Sequence, residues 1–268
     1  MCCGKKENKK RGNVILSCSD NILICEDVVK LLKKIPDGSI HCVITSPPYW
    51  KGFAYESYFN SYKQYLDWTN EWMGEIKRVL HPNGTFYLNI SNDSETTVRA
   101  YELMEIATRD LLFKLHDTIV WYVYNRQPAN TVRQLTNQME FIFMLRHNSN
   151  DVYLDKKEAY HYNPDLFKTR NVGNVWELPF NVDKRGKSSV FGRKTTKSNY
   201  GHGGFPVALP ETCLLLSTRK GQIVLDPFMG TGTTGVACKK HCRRFIGVDN
   251  IQEFVGYSRK RIDGETYL

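Results

Sequence analysis

The stretch that decides the fold class of this chain is Asp226-Pro227-Phe228-Met229-Gly230-Thr231-Gly232. It follows a short apolar run at 223–225, which is typical of a buried strand, and its glycines indicate a turn that leads into a helix. Residues 230–235 fit the pattern G-x-G-x-x-G, and Asp249 closes the next apolar run at about the expected 20 residues. In that pattern the glycines let the backbone approach a ligand, and the carboxylate accepts hydrogen bonds from a ribose. The stretch therefore predicts the cofactor loop of an open α/β sheet.

The position of this loop in the chain predicts a rearranged order of elements. Only 19 of the 268 residues follow Asp249, too few for the remaining strands of a nucleotide-binding half. The missing strands must come from the amino-terminal part. We therefore predict a Rossmann-like α/β fold with a mainly parallel sheet and a circularly permuted motif order. The same argument speaks against an NAD-dependent oxidoreductase.

Apolar runs and amphipathic segments alternate along the chain and predict the other elements. Strands are expected within 14–25 and at 40–44, 85–90, 119–124, 140–145, 222–225 and 245–248. Helices are expected at 27–34, 63–80, 95–115 and 207–218, and directly after the glycine loop. Residues 1–12 predict a disordered basic tail, and 13–268 predict a single domain. Residues 146–204 lack sustained periodicity, so we interpret them as an inserted lobe or set of loops.

A second motif, Ser46-Pro47-Pro48-Tyr49, follows the apolar run at 40–44. Two successive prolines fix φ at about −65° and lack a backbone N–H. Their carbonyls and the Ser46 hydroxyl form an edge of hydrogen-bond acceptors, and Tyr49 offers a flat face beside it. Such an edge suits a planar group that bears an NH2, although a plain turn at the end of a strand is the alternative. Because ligands collect at the carboxyl ends of parallel strands, we expect this turn and the glycine loop to form one active site.

Composition restricts the partners and the compartment. The formal net charge of +9 and the pI of about 9.1 favour a polyanionic partner. No run of 18 apolar residues occurs, so no membrane span is expected. Cys238 and Cys242 have no second pair to complete a zinc site, and we expect no metal and reduced thiols. The start of the chain lacks the apolar core of a secretory signal, which favours the cytoplasm, in association with the nucleoid, or the nucleus. A homodimer is compatible with the sequence.

Both motifs, in this order, resemble the beta class of amino-methylating DNA methyltransferases, and the resemblance covers nearly the whole chain. It implies S-adenosylmethionine as cofactor and base flipping of the target. It implies that Ser46, Pro47, Pro48 and Tyr49 form the catalytic pocket. It also implies a set of cofactor-binding residues, namely Asp27, Phe205, Pro206, Asp226, Phe228, Gly230, Gly232, Thr233 and Asp249.

Within that class, Ser as the first residue of the tetrapeptide mostly marks N4-cytosine methylases, and Asp usually marks N6-adenine methylases. Ser46 therefore implies transfer of a methyl group to the N4 amine of cytosine in DNA. Asp249 departs from the family, which more often has Glu there, but either carboxylate can hold a ribose. The chain has no Pro-Cys site, so a cysteine nucleophile is not expected.

The region 146–204 corresponds by position to the target-recognition region of the family. From Lys184 to Lys197 this region contains six basic residues and no acidic residue, and we interpret the basic residues as DNA-binding: Lys184, Arg185, Lys187, Arg193, Lys194 and Lys197. A solvated surface loop is the alternative for this charge run. The aromatic-rich segment 50–62 is interpreted either as a loop that closes over the flipped base or as part of the core.

Two other functions remain open. One is an N6-adenine methylase or a methylase of another amine, such as that of an RNA base, which product analysis would distinguish. The other is a non-catalytic DNA-binding relative, which a cofactor titration would distinguish. Ser46, Tyr49 and Asp249 are all present, and this favours an enzyme.

Overall fold

The computed structural model describes residues 21–50, 59–92, 98–126, 135–147, 152–167, 171–179 and 204–264. Its strands are β1 Asn21–Cys25, β2 Ile40–Thr45, β3 Leu80–Ile90, β4 Lys114–Tyr122, β5 Met139–Arg146, β6 Val175–Glu177, β7 Ile223–Asp226 and β8 Arg244–Asp249. Its α-helices are α1 Val28–Leu32, α2 Tyr62–Val79, α3 Arg99–Glu105, α4 Lys156–Tyr162, α5 Ala208–Ser217, α6 Thr233–Lys240 and α7 Gln252–Asp263. None of the helices in these ranges is long and apolar enough to cross a membrane.

The described strands form one sheet in the order β1-β8-β7-β2-β3-β5-β4-β6. Neighbouring strands are parallel except in the pairs β3–β5 and β5–β4. Strands β7 and β8, from the end of the chain, therefore lie between β1 and β2, from its beginning. The predicted Rossmann-like sheet, mainly parallel and completed by amino-terminal strands, is confirmed.

Two layers of apolar side chains pack on the two faces of the sheet. Along β2, Cys42 and Ile44 join one buried cluster while Val43 joins the other, as the period of two in a strand requires. On the second face, α2 contributes Trp72 and Met73, both fully buried. Burying each such side chain stabilises the fold by about 1.5–3 kcal/mol. These two layers fix the strand ends that carry the site.

Side-chain caps set where two of the predicted helices begin. Asp27 accepts a hydrogen bond from the backbone N–H of Lys30 at 3.0 Å, and Ser61 accepts one from Gln64 at 3.2 Å. These oxygens satisfy N–H groups that have no partner inside the first helical turn. The helices expected at 27–34 and 63–80 are confirmed as α1 and α2.

The helix predicted at 95–115 is wrong over its last part. Helix α3 continues as a π-helical turn, Ile106–Asp110, and the chain then enters β4 at Lys114. Leu112 has a φ of 56°, which ends the helical path. Strand β4 pairs along the length of β5, and this long-range pairing is not visible in the local periodicity.

The region 146–204, interpreted above as an inserted lobe or set of loops, contains the two regular elements α4 and β6 among its described residues. Asp155 caps α4 by accepting from the N–H of Glu158 at 2.8 Å. Strand β6 pairs with β4 at the edge of the sheet, and its Trp176 is fully buried. A strand of three residues is too short to show a period. The described part of this region therefore belongs to the main core.

Candidate active site

The two sequence motifs meet at the carboxyl ends of β2 and β7, which are neighbouring parallel strands. Thr45, the last residue of β2, donates a hydrogen bond from its Oγ1 to Oδ1 of Asp226 at 2.8 Å. The Ser46–Tyr49 turn begins at the next residue, and the glycine loop begins at Asp226. The structure thus brings the two predicted loops into direct contact. That they form one active site stays a prediction.

Asp226 holds the start of the glycine loop from inside the protein. Its carboxylate accepts hydrogen bonds from Thr45, from Thr234 Oγ1 at 2.7 Å and from the N–H of Phe228 at 3.2 Å. The side chain is only 2% exposed, and this burial raises the pKa of Asp226 to about 6 against the opposing effect of the three hydrogen bonds. Both oxygens thus bind groups of the protein that hold the start of the loop. The direct contact of Asp226 with a cofactor stays a prediction.

Gly230 and Asp249 form the part of the loop that faces outward. Gly230 has a φ of 49°, in the left-handed region that favours glycine, and a Cβ added there would meet no heavy atom within 4 Å. Its N–H donates to Oδ2 of Asp249 at 3.0 Å, and the N–H of Ile251 donates to Oδ1 at 2.9 Å. Each oxygen keeps a further acceptor position. Burial, with a smaller contribution from the charge of Asp226, raises the pKa of Asp249 to about 6.

Helix α7 holds the other side of the loop. Ser258 Oγ donates to the carbonyl of Gly230 at 2.7 Å. A Cβ on Gly232, whose φ is 76°, would lie 2.8 Å from Cβ of Ser258, so this contact requires glycine. The buried guanidinium of Arg261 donates to the carbonyl and Oγ1 of Thr231 and to Oγ1 of Thr233 at 2.8–3.1 Å. Burial lowers the pKa of Arg261. The sequence analysis missed Arg261, since no local pattern relates it to the loop.

The remaining predicted cofactor residues lie around this loop in different environments. Asp27 is exposed and follows β1, whose Cys25 pairs with Asp249. Phe228 packs its ring against Trp68 and Trp72 of α2, with centroids 5.5 and 5.1 Å apart. This contact anchors the loop on α2.

Phe205 and Pro206 lie at the start of α5. Phe205 is buried in the core cluster that contains α5, and the carbonyl of Pro206 accepts a hydrogen bond from the N–H of Leu209 at 3.0 Å. Thr233 is 5% exposed, and its hydroxyl is bound by Arg261. Burial of Phe205 and Thr233 limits how much of each side chain a ligand can reach.

The Ser46–Tyr49 turn is organised by a chain of hydroxyl groups. Tyr49 donates from its hydroxyl to the backbone carbonyl of Asn89 at 3.1 Å, and the same hydroxyl lies 2.7 Å from Ser46 Oγ. Either hydroxyl can be the donor of the Ser46–Tyr49 hydrogen bond. In both directions Ser46 Oγ keeps at least one lone pair as an acceptor. Pro47 is buried, and the carbonyl of Pro48 accepts from Tyr65 of α2 at 2.9 Å.

Asn89, near the carboxyl end of β3, extends this chain into the protein. Its side-chain amide donates to Glu140 and to the carbonyl of Phe141, both at 3.2 Å. Glu140 is 6% exposed and forms an ion pair with Arg126. The sequence analysis missed Asn89. The available signal was a polar residue near the carboxyl end of an apolar strand beside the motif.

The described aromatic residues of the segment 50–62 pack against the core. Phe59 is 7% exposed and contacts Trp68, with ring centroids 5.0 Å apart. Trp50, which has a φ of 54°, stacks on Tyr65 at 6.1 Å. Residues 51–58 lie outside the described residues, and so do the six basic residues predicted to bind DNA, Lys184, Arg185, Lys187, Arg193, Lys194 and Lys197. In the described part of the chain, no group of three His, Cys, Asp or Glu residues is placed to hold a metal ion.

Comparison with known proteins gives a consistent result. The family described as DNA methylase, of the N6/N4 type, matches residues 40–260. Type II methyltransferase M2.DpnII of Streptococcus pneumoniae is 31% identical over 97% of this chain and 98% of its own length.

Solved structures share the fold. The PvuII DNA methyltransferase, described as cytosine-N4-specific, superimposes with a TM-score of 0.72 at 20% identity and covers 91% of this chain and 86% of its own. A putative DNA modification methylase of Thermus thermophilus, complexed with S-adenosyl-L-methionine, gives a TM-score of 0.66 at 22% identity over 92% of this chain and 94% of its own. On its sequence match and its fold, the chain belongs to the DNA methylase family.

Proposed function

We propose that this DNA methylase transfers a methyl group from S-adenosylmethionine to the N4 amino group of cytosine in DNA. The observation that carries the proposal is the position of Ser46 Oγ at the start of the turn, 2.7 Å from the hydroxyl of Tyr49, which lies 3.1 Å from the carbonyl of Asn89. In either direction of the Ser46–Tyr49 hydrogen bond, Ser46 Oγ remains a neutral acceptor. A neutral acceptor suits an amino group that donates two N–H bonds.

The residues beside the glycine loop fit S-adenosylmethionine. The two outward acceptor positions of Asp249 match the two hydroxyls of a ribose, and the open side of Gly230 leaves room for close backbone approach. Exposed Asp27 lies two residues after Cys25, which pairs with Asp249 across β1 and β8, and the family resemblance assigns an adenine contact to Asp27. Phe205 and Pro206 are assigned to the methionine end on the same resemblance. Asp226, Phe228, Gly232 and Thr233 hold the loop in shape.

When bound, S-adenosylmethionine supplies an electrophilic methyl group. The exocyclic amine of a base is a poor nucleophile, because its lone pair is delocalised into the ring. By accepting an N–H of this amine, Ser46 Oγ returns electron density to the nitrogen. It also favours the tetrahedral geometry that the nitrogen needs for attack. Tyr49 stacks on the flipped base, and its hydroxyl, which contacts Asn89, positions the Ser46 hydroxyl.

The DNA contacts are proposed from the sequence. We assign Lys184, Arg185, Lys187, Arg193, Lys194 and Lys197 to the phosphate backbone and 146–204 to target recognition. The net charge of +9 agrees with this partner. Activity on DNA is consistent with the expected cytoplasmic, nucleoid-associated location.

Mass spectrometry of nucleosides tests the base assignment. DNA treated with the enzyme and S-adenosylmethionine should contain N4-methylcytosine, and the Ser46→Ala variant, as the matched control, should form far less. N6-methyladenine as the only product would overturn the assignment to cytosine while leaving the amino-methylating chemistry in place. C5-methylcytosine as the only product would overturn the mechanism.

A further inference from the structure

A second cavity lies at the amino ends of the strands, on the opposite edge of the sheet from the active site. Its volume is about 330 Å³, and its polar lining includes His41, His81, Asn83, Tyr153, Arg219 and Gln222. Along β2, the five residue-to-residue steps from His41 to Ser46 span about 16 Å at 3.3 Å per step. A ligand in this cavity therefore does not compete for the pocket at Ser46.

Two stacked imidazoles form one wall of the cavity. The rings of His41 and His81 have centroids 5.3 Å apart and planes within 8°. His41 Nδ1 accepts from the N–H of Ile223 at 3.4 Å, and His81 Nδ1 accepts from the N–H of Asn83 at 3.1 Å. Each neutral ring therefore carries its proton on Nε2 and offers it as a donor. Burial of the ring is the main cause that lowers the pKa of His41, and electrostatic repulsion from His81 and Arg244 lowers it further. The His41 ring is therefore neutral at pH 7.

Arg219 supplies a positive charge to the same cavity. Its guanidinium lies over the ring of Tyr153, 4.3 Å from the centroid, and it forms no ion pair with any residue that the structure describes. Gln222 accepts the backbone N–H of Arg219 at 2.8 Å through Oε1, so its NH2 group remains a donor. The hydroxyl of Tyr153 is directed to Asp155 at 3.3 Å. The lining thus combines neutral N–H donors with one guanidinium and contains no carboxylate.

We propose that this cavity binds the phosphate group of a small ligand, either inorganic phosphate or a nucleoside monophosphate. A phosphate offers several acceptor oxygens and a negative charge, which match the Nε2–H groups of both histidines and the guanidinium of Arg219. The cavity is concave and lies at the edge away from the base pocket, so the ligand is a small molecule rather than the DNA substrate.

NMR of the histidine side chains in the full chain tests this inference, with sodium chloride at matched ionic strength as the reference. Added phosphate, or adenosine monophosphate in a second titration, should shift the imidazole signals of His41 and His81 in a saturable way. Arg219→Gln should weaken the affinity about tenfold, because it removes a charged donor. Lys220→Gln, an equal change of charge at an exposed neighbour outside the lining, should leave the affinity unchanged. His81→Phe, which keeps a ring in the stack, should weaken binding through loss of a donor.

Three results would overturn the proposal. The first is the absence of saturable shifts with either ligand. The second is equal weakening by Arg219→Gln and Lys220→Gln, which would indicate general charge attraction. The third is displacement of phosphate by a short DNA duplex, which would make the cavity a contact for the DNA backbone. Saturation by the monophosphate alone would identify the nucleotide as the source of the phosphate group. None of these results depends on methyl transfer, so they are independent of the proposed base specificity.

Discussion

The glycine loop and the Ser46–Tyr49 turn lie side by side, but the protein holds them in different ways. The glycine loop is bound by β8, through Gly230 and Asp249, and by α7, through Ser258 and Arg261. The turn is directed by two tyrosine hydroxyls, one within the turn and one from α2. The loop is therefore shaped before any ligand binds, while the acceptor geometry of the turn depends on single hydroxyl groups. From this difference we expect that cofactor binding and methyl transfer can be separated by mutation.

The largest expected effect is on turnover, in the turn. Ser46→Ala removes the neutral acceptor and should lower the rate of methyl transfer by about 10²–10³-fold, the usual cost of losing one preorganised polar group. Tyr49→Ala should also lower turnover, since it removes both the stacking face and the hydroxyl that orients Ser46. Single-turnover assays measure the rate, and calorimetry should show nearly unchanged affinity for S-adenosylmethionine.

Ser39→Ala is a matched control, because Ser39 is remote from the turn and its hydroxyl donates only to the carbonyl of Pro36. It should leave turnover unaltered. Ser46→Ala and Tyr49→Ala could instead reduce cofactor affinity as much as turnover. Cofactor binding and methyl transfer would then not be separable by mutation, and the assignment of the cofactor to the glycine loop and of the base to the turn would be wrong.

The next effect is on cofactor affinity, in the glycine loop. Asp249→Ala should weaken S-adenosylmethionine binding by about 1–3 kcal/mol, since hydrogen bonds to a charged group are worth about that much. Burial raises the pKa of Asp249 to about 6, and the ionised form is the better acceptor for ribose hydroxyls. Affinity should therefore be full above pH 6 and should fall as the pH drops through 6.

Calorimetry at several pH values checks this prediction. Asp249→Asn, which cannot ionise, should flatten the pH dependence, and Asp263→Asn on the exposed end of α7 should preserve it. A pH profile in Asp249→Asn identical to that of the unaltered protein would assign the titration to another group, such as Asp226.

A smaller effect is expected at Asn89, which connects the turn to the core. Asn89→Ala removes the side-chain link to Glu140 and loosens the strand end that holds Tyr49. Turnover should fall up to about tenfold, the equivalent of one neutral hydrogen bond. Rate measurements at saturating cofactor and calorimetry together test this.

Glu140→Gln keeps an acceptor for Asn89 and should have a milder effect than Asn89→Ala. If Asn89→Ala lost cofactor affinity and kept its turnover, Asn89 would support cofactor binding at the glycine loop rather than methyl transfer at the turn.

The smallest effect on the chemistry should come from the predicted DNA-binding segment. Changing Arg193, Lys194 and Lys197 together to Ala should weaken binding to all sequences. It should also lower the slope of log affinity against log salt by about 0.9 for each phosphate that the variant no longer neutralises. Cofactor affinity should remain the same, and it serves as the internal control. An unchanged salt slope would return the segment to the solvated-loop interpretation.

The sequence predicted local structure correctly where the residues that determine a strand, turn or helix lie within one short segment. The apolar run before Asp226 and the glycines after it predicted a strand, a turn and a helix that β7 and α6 confirm. The positions of Asp27 and Ser61 at helix starts follow from their short polar side chains. The helix predicted at 95–115 failed because pairing of β4 with β5, across the sheet, prevails over local helical preference.

The sequence by itself determined the fold class, the permuted order of the motifs and the pairing of an acceptor-rich turn with a glycine loop. These features follow from periodicity, from proline and glycine at fixed positions, and from the order of the two motifs along the chain. Only the tertiary structure decided that Asp226 is buried and hydrogen-bonded to Thr45, that Arg261 holds the loop and that Asn89 contacts the hydroxyl of Tyr49. The physical reason is that burial and hydrogen bonding depend on which distant segments the sheet brings together.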